Sequence, residues 1–335
     1  MSTLWSTSEL SYARVPLSSS TNTEDSAQTD AFRRTDGRPR LCYRDVQLRT
    51  STSNAQGAVA SCIVSVDGSN VDQGGLTTVE AGVRAEVEPI HGDDDDVDDN
   101  DAGKIIVSID CAPAALDSIK PERLAHLSSL LTSLFSPTSL PPSFLRQLVV
   151  IPQTKAWTLY LDVLISSSFG GNVTDLCLLA ARSALACVRL PMTRPVGFDP
   201  DQTEGTGVAN AMDQDQGFSG LVKGGKAGSK AVDFELLETG TVGGGVQRLK
   251  GWDKLPIGVT LSLINQLPFL DATALEEAAA SSQLMCCFTS TGDLCGMRQT
   301  GEGEIEFVRL SPLLKEARRI ATEMLTVTNK KLQHA

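Results

Sequence analysis

Histidine is scarce in this chain of 335 residues, and its cysteines are not arranged as ligands. There are 3 His and 8 Cys, and no two cysteines form a C-x-x-C pair or lie near a histidine at the spacing of a zinc site. Most of the cysteines fall within apolar segments, so we expect reduced, buried thiols. The composition therefore argues against a zinc module and against a disulfide-stapled secreted domain.

Long hydrophobic runs and an excess of basic residues are also missing. No stretch approaches the roughly 18 apolar residues that a membrane helix needs. The start, MSTLWSTSEL, lacks the basic cluster and apolar run of a signal peptide, so we expect an intracellular protein without a membrane partner. The net charge of −12 argues against a surface that binds phosphates everywhere, although it leaves room for a narrow RNA path.

Three segments differ in composition from the rest. Residues 1–30 are rich in Ser and Thr and are expected to form a flexible N-terminal extension. Residues 91–103 hold seven aspartates, whose mutual repulsion favours an acidic loop between strands. Residues 194–250 contain 12 of the 28 glycines and almost no apolar periodicity, which indicates a disordered insertion. The folded parts are then residues 31–193 and 251–335.

Apolar periodicity in the first folded part predicts strands followed by helices. Four short strands are expected, at 46–49, 58–66, 77–87 and 105–109. A helix follows over 121–135, and strict alternation from Trp157 to Ile165 predicts a further strand with Trp157 in the core or in a subunit interface. Gly170 and Gly171 end that strand, and Asn172 is expected to cap the next helix.

The second folded part repeats this order of strands and then helix. Residues 259–263 alternate as a strand does, Thr273 and Glu276 form a capping box, and two strands flank a turn at 291–293. Ser311 and Pro312 are expected to open the last helix. The chain is therefore predicted to be an α+β protein built from two similar strand-and-helix halves.

Short motifs occur along the chain in a characteristic order. The first are RTDGR (34–38), YRDV (43–46) and GVRAEVEP (82–89). Later come AWTLYLDVL (156–164), GGNVTD (170–175), LP (190–191) and DATALEE (271–277). In this order they resemble the RNase PH domain family, and in particular the non-catalytic ring subunits of the eukaryotic exosome. The likeness spans residues 31–193 and 251–330.

The resemblance implies an RNase PH-type domain and a ring of six such subunits around a channel for single-stranded RNA. This chain would be a structural subunit that supports 3′-to-5′ RNA processing and degradation, including the maturation of ribosomal RNA. Its partners would be other RNase PH-like ring subunits, cap subunits, an associated catalytic nuclease and single-stranded RNA, with no cofactor. The family also implies residence in the nucleus and nucleolus and in the cytoplasm.

Active relatives cleave RNA by phosphate attack, and two groups that this needs differ here. They place Thr-Arg directly after the Gly pair, where this chain has Asn172 and Val173, with Asp175 adding a negative charge. They also carry paired metal-binding acids, which we align with residues 249–256, where Asp253 stands between two lysines. We therefore expect no catalytic residue and no metal ligand.

RNA contact is expected on the helix that begins near Pro121, where RNA-engaging relatives carry arginines one turn apart. His126 and Leu130 fill those positions here, which leaves Arg123 and His126 as the predicted RNA contacts.

Two structural ion pairs are also expected. Asp36 is predicted to pair with Arg38, and Arg44 with Asp45, to tie the first strands together.

Two other functions stay open at this level. One is an active phosphate-dependent 3′-to-5′ exoribonuclease with a displaced site, in which Arg182 would supply the phosphate-binding cation. The other is an α+β small-molecule enzyme whose likeness to the family is accidental.

Overall fold

The computed structural model describes residues 5–18, 34, 36–51, 58–66, 76–90, 102–116, 119–197, 231–237 and 245–333. Two sheets with a helix between them form most of this part of the chain, after a first helix α1 (Thr7–Ser18). The α+β prediction is confirmed. No helix in the described ranges is long and apolar enough to cross a membrane.

The first sheet has six strands in the order β1, β2, β3, β6 and β4, with β5 paired to β6. The strands are β1 (Val46–Ser51), β2 (Ala60–Val66), β3 (Thr77–Pro89), β4 (Lys104–Cys111), β5 (Val149–Ile151) and β6 (Lys155–Ser168). Only β4 and β6 run parallel. A parallel pair needs a crossover, which α2 (Pro113–Leu116), α3 (Pro121–Leu134) and α4 (Pro142–Arg146) supply.

The segment predicted as a disordered insertion, residues 194–250, contains strands. Helix α5 (Val173–Ala186) leads to β7 (Arg189–Pro191), which pairs with β10 (Val246–Arg248), while β8 (Thr193–Gly197) pairs with β9 (Ala231–Leu236). The prediction of disorder is wrong for these strands, because pairing between distant runs satisfies backbone groups in a way that composition does not reveal. Residues 198–230 and 238–244 of the insertion and 91–101 of the acidic loop lie outside the described residues.

The second sheet has four antiparallel strands in the order β12, β11, β13 and β14. They are β11 (Ile257–Ile264), β12 (Leu267–Leu270), β13 (Ser282–Phe288) and β14 (Leu294–Gly301), and α6 (Ala274–Ala279) stands between β12 and β13. The predicted capping box of Thr273 and Glu276 is present at the start of α6. The predicted turn at 291–293 joins β13 to β14.

Helix α5 lies between the two sheets. All of its residues except Thr174 are buried, as expected of a helix that is apolar on every side. It contacts β2 and β3 of the first sheet and β11 of the second. The N-terminus of α5 therefore brings the end of β6 next to the second half of the chain.

The last helix, α7 (Phe307–Leu332), packs on β11 and β13. It begins five residues earlier than Ser311 and Pro312 indicated, so that Pro312 lies inside the helix. Leu313, Ala317 and Ile320 of this helix are buried.

Part of the predicted flexible extension is helical. Residues 7–18 form α1, in which Ala13 is buried against Ala279 and Phe269, and Arg14 Nε donates to the Ala279 carbonyl at 3.0 Å. The prediction for residues 1–30 is wrong for this helix, because its order comes from contact with α6 and not from its own apolar content.

Candidate functional site

A tight turn joins β6 to α5 and places Gly170 and Gly171 beside the start of α6. Gly171 has φ +78°, and a Cβ there would lie 2.6 Å from the backbone nitrogen of Ala274. Only glycine fits both the left-handed backbone and the close approach of α6. The Gly pair thus fixes the distance between the two halves of the chain.

Asn172 follows the turn and binds the second half of the chain. It stands at the N-cap position of α5 but makes no side-chain cap; its Nδ2 donates to Asp271 Oδ1 at 2.7 Å. The predicted capping role of Asn172 is therefore wrong. Its backbone N–H donates to Glu277 Oε1 at 2.8 Å. The Glu277 carboxylate thus accepts a backbone N–H at the start of α5, a position that normally favours a bound anion.

Asp271 is the centre of a buried ion-pair network. Arg44 donates to its carboxylate from the backbone N at 2.8 Å, Nε at 2.9 Å and Nη2 at 2.8 Å, and Arg38 Nη1 adds a bond at 3.0 Å. Burial opposes ionisation of Asp271, but the bonds and charge of Arg44, with the charge of Arg38, outweigh it and lower the pKa. Arg44 also donates to the Gly170 carbonyl at 2.7 Å.

The predicted structural pairs are thus half right. Arg38 pairs with Asp36, as expected, but Arg44 reaches Asp271 across the molecule instead of its neighbour Asp45. The sequence motif containing Arg34 makes a similar long-range contact, since Arg34 is buried and pairs with Glu276. Three arginines of one N-terminal segment therefore hold the DATALEE motif in place.

Asp175 lies under the turn and is buried. Tyr43 donates to its Oδ2 at 3.0 Å. Burial raises the pKa of Asp175 to about 7, a shift that the hydrogen bond from Tyr43 partly opposes. With its pKa raised to this extent, Asp175 is only partly ionised at neutral pH.

A cleft of about 900 Å³ opens beside this turn, between α3, the ends of β13 and β14, α6 and α1. Arg123 and His126, the predicted RNA contacts, both line it. Arg123 pairs with Glu277 at 3.0 Å, which leaves its side chain 33% exposed. Burial and the charges of Arg298 and Arg123 lower the pKa of His126, so it is neutral at pH 7.

Further residues of the cleft were missed by sequence reasoning. Lys120 and Arg298 line it, with Phe169, whose side chain is 52% exposed. Lys120 stands one turn before Arg123, and this spacing could have revealed it. Arg298 lies on β14, distant in sequence, and nothing local pointed to it. The cleft thus combines cations with an exposed aromatic ring.

Two models of known families match the chain. The 3′ exoribonuclease family, domain 1, matches residues 43–191, and domain 2 of the same family matches residues 254–319. Together the matches cover more than half of the chain. The chain belongs to the 3′ exoribonuclease, or RNase PH, family.

The chain is similar to exosome components of archaea. The chain is 22% identical over 303 residues to exosome complex component Rrp42 of Sulfurisphaera tokodaii, covering 89% of this chain and 90% of the relative. It is 29% identical over 157 residues to Rrp42 of Saccharolobus solfataricus, covering 45% and 50%. A chain of the Archaeoglobus fulgidus exosome with RNA bound to the active site has TM-score 0.63 at 17% identity, covering 94% of this chain and 96% of that one. A chain of an archaeal exosome core has TM-score 0.61 at 16% identity, with 96% of each covered.

Asp253 and Arg182, the residues that the sequence analysis considered for catalysis, do not lie at the Gly170–Gly171 turn. Asp253 stands in a 3₁₀ turn, and its backbone carbonyl, not its carboxylate, accepts bonds from Arg182 and Asn329, both at 3.4 Å. Arg182 is fully buried and also donates to the Leu255 carbonyl and to Asn329 Oδ1, so it ties α5 to α7. Within the described ranges, no three His, Cys, Asp or Glu side chains cluster as a metal site would.

Two carboxylates do lie at the Gly turn. They do not come from residues 249–256, the segment aligned with the metal-binding acids of active relatives. Asp271 and Glu277 both bind Asn172, one through its side chain and the other through its backbone. Both residues belong to the DATALEE motif, in which the sequence analysis recognised only a helix-capping role.

Proposed function

We propose that this RNase PH chain is a non-catalytic structural subunit of an RNA exosome ring. It helps form the channel through which single-stranded RNA passes during 3′-to-5′ processing and degradation, including the maturation of ribosomal RNA. Its partners are other RNase PH-like ring subunits, cap subunits and an associated catalytic nuclease. The family membership and the exosome relatives support the ring role.

One observation supports the lack of catalysis more than the others: Glu277 accepts the backbone N–H of Asn172. A phosphate ion would need that amide together with a guanidinium. Here the amide is taken, and Arg123 neutralises the same carboxylate. Phosphate binding would therefore have to break the contact of Glu277 with the Asn172 amide and its ion pair with Arg123.

The alternative is an active phosphate-dependent exoribonuclease, and one feature favours it. Asp271 and Glu277 are two carboxylates at the turn, as a metal-assisted reaction needs. Both already bind arginine side chains, Arg44 and Arg38 for Asp271 and Arg123 for Glu277. A divalent ion would have to displace these guanidinium groups, so we favour the structural role.

Catalysis is tested with the full chain alone and with the ring assembled by co-expression. RNA, inorganic phosphate and Mg²⁺ are supplied, and released nucleoside diphosphates are measured. The chain alone should release none, and the ring should keep its turnover when Asp253 or Glu277 of this chain is changed to Asn or Gln. Release by the isolated chain, abolished by Glu277→Gln, would establish the alternative.

We further propose that the cleft contacts RNA through Arg123, His126, Lys120 and Arg298. Cations beside an exposed ring such as Phe169 suit a flexible strand, because they bind phosphates while a base stacks. Arg298→Ala should weaken RNA binding and lower its salt dependence by about one phosphate contact. Arg84→Ala is the control, since it removes one exposed arginine charge from the first sheet. An equal loss from both variants would point to charge in general and not to the cleft.

We also propose that the protein resides in the nucleus and nucleolus and in the cytoplasm. This rests on the resemblance to the eukaryotic exosome branch. Imaging of the tagged full chain expressed from its own promoter tests it, and exclusion from the nucleus would contradict it.

A further inference from the structure

Helix α1 forms part of the wall of the cleft, although it lies far in sequence from the other walls. Trp5, just before the helix, and Leu10, near its start, line the cleft beside residues of α3, α6 and β14. Trp5 is half-buried, whereas Tyr12 of the same helix is 60% exposed and does not line the cleft. One aromatic ring of this segment therefore turns towards the cleft, and another turns away from it.

The start of α1 is held in place by its own hydrogen bonds. Ser6 N–H donates to Glu9 Oε2 at 2.6 Å and Glu9 N–H donates to Ser6 Oγ at 3.3 Å, which together make a capping box. Leu10 N–H donates to the Ser6 carbonyl at 3.1 Å, and its side chain packs against the small apolar cluster that α1 shares with β11, β12 and α6. The helix start next to Trp5 is therefore ordered before a ligand arrives, which lowers the entropy lost on binding.

Two aromatic rings line the cleft without a cation of their own. One is Trp5, and the other is Phe169, which directly follows β6. Within the described ranges, the cation–π contacts are made by the rings of Phe269, Tyr160, Phe234 and Trp252. A ring that is not used inside the protein in this way can offer its face to a flat ligand.

Positive charge stands beside these rings. Lys120, Arg123 and Arg298 line the cleft, and the acids that line it among the described residues are Glu122 and Glu277. Arg123 and Glu277 pair at 3.0 Å, so Lys120 and Arg298 outweigh the one remaining carboxylate. The cleft is thus positive, although the whole chain carries a net charge of −12. Its charge favours an anionic ligand, and its two rings favour a ligand with flat groups.

Single-stranded RNA combines both of these features. Its phosphates can bind the cations while an unpaired base stacks on an aromatic ring, whereas the bases of a duplex are already stacked on each other. A purine presents a larger face than a pyrimidine does, so stacking on the indole ring of Trp5 favours adenine or guanine. The chemistry of the cleft therefore fits an unpaired purine with its flanking phosphates.

We propose that Trp5 is a base-stacking residue of the cleft, and that α1 is therefore part of the RNA-binding surface. This rests on the proposed contact between the cleft and RNA. It adds the residue that contacts the base and a preference for unpaired purines. Phe169 supplies a second ring face, on which a neighbouring base can stack.

Binding of the full chain to a labelled oligoadenylate is measured by fluorescence anisotropy at one fixed salt concentration. Trp5→Ala should raise Kd about 10-fold, which corresponds to the loss of one stacked base. Trp5→Leu, which is apolar but has no ring, should lose as much, and Trp5→Phe should recover most of the affinity. Tyr12→Ala is the matched control, because it removes an exposed ring from the same helix outside the cleft, and its Kd should stay unchanged.

A second ligand separates base stacking from mechanical support of α1. An abasic ribose phosphate oligomer of the same length carries the phosphates but no bases, so Trp5→Ala should bind it as tightly as the unaltered chain does. Equal losses for both ligands would mean that Trp5 only positions the helix, and would overturn the proposal. The unaltered chain should also prefer oligoadenylate to oligouridylate, and Trp5→Ala should reduce that preference. A preference that the substitution leaves unchanged would contradict stacking on Trp5.

The outcomes distinguish the stacking role from the function on which it rests. If Arg298→Ala weakens binding but Trp5→Ala does not, the stacking role is wrong and the RNA contact of the cleft stands. If Trp5→Ala and Tyr12→Ala weaken binding equally, the effect belongs to α1 in general and the stacking role is again wrong. If the unaltered chain binds no single-stranded RNA, alone or in the assembled ring, the RNA contact fails and the stacking role fails with it.

Discussion

The buried carboxyl of Asp175 should make the stability of this protein fall as pH rises towards neutrality. Burial raises its pKa to about 7, whereas the ordinary value of 3.8 applies to the unfolded chain. The stabilising protonated form is therefore fully present below about pH 4 and is lost as pH rises through about 7. Asn is neutral at every pH and nearly the same shape, so Asp175→Asn should remove this dependence.

The size of the effect follows from the two pKa values. Between pH 5 and pH 8 the folded carboxyl loses its proton, while the unfolded one is already ionised at pH 5. One pKa unit corresponds to about 1.4 kcal/mol, so the unaltered protein should lose between about 2 and 3 kcal/mol relative to Asp175→Asn over this range. Tyr43 can still donate to the Asn carbonyl, so the variant should be no less stable at pH 5.

Urea unfolding of the full chain at pH 5, 6, 7 and 8 measures the free energy of unfolding directly. The difference between the variant and the unaltered protein should grow steadily up to about pH 7 and then level off. Asp110→Asn, at an exposed position of edge strand β4, is the control and should leave the pH dependence as it is. A constant difference across the range would refute the assignment of a buried, proton-binding carboxyl to Asp175.

Two further substitutions test the network around the Gly turn. Arg44→Met leaves Asp271 short of its main partner in the interior and should cost about 3–5 kcal/mol in urea unfolding, while Arg84→Met, which breaks an exposed pair, should cost less than about 1 kcal/mol. Similar losses would contradict the role given to burial. Gly171→Ala should cost at least about 2 kcal/mol, since it meets both a positive φ and the backbone of α6. A melting temperature equal to that of the unaltered protein would contradict that reading.

Periodicity predicted most of the elements that build the two sheets, because each strand and helix buries one face or all faces within a short window. The strands β2, β3 and β6 and the helices α3 and α5 follow this rule. Helix α1 and strands β9 and β10 were missed because their order depends on contact with distant parts of the chain. Local composition carries no information on such contacts.

The site was harder to predict than the fold for the same reason. The motifs around Arg44, Asn172 and Asp271 were all recognised, but their partners were not. Arg44 was assigned to its neighbour and Asn172 to a helix cap, whereas both bind Asp271. Short-range pairing is the simplest expectation from a sequence. A buried carboxylate outweighs this expectation, because an unpaired buried charge is costly and contacts with distant donors are then favoured.

Introducing Thr and Arg after the Gly pair by two substitutions is therefore not expected to create a phosphate site. Val173 is 2% exposed and belongs to the core, so an arginine there would lose apolar contacts, and its guanidinium would have to extend into the cleft that Val173 also lines. Asn172→Thr would lose the bond to Asp271, and Glu277 would still hold the turn amide. The double variant Asn172→Thr, Val173→Arg should be destabilised and should release no nucleoside diphosphate from RNA with phosphate and Mg²⁺. If it gained that activity, the occupied amide would not be what keeps phosphate out, and the missing Thr-Arg would be the deciding difference from active relatives.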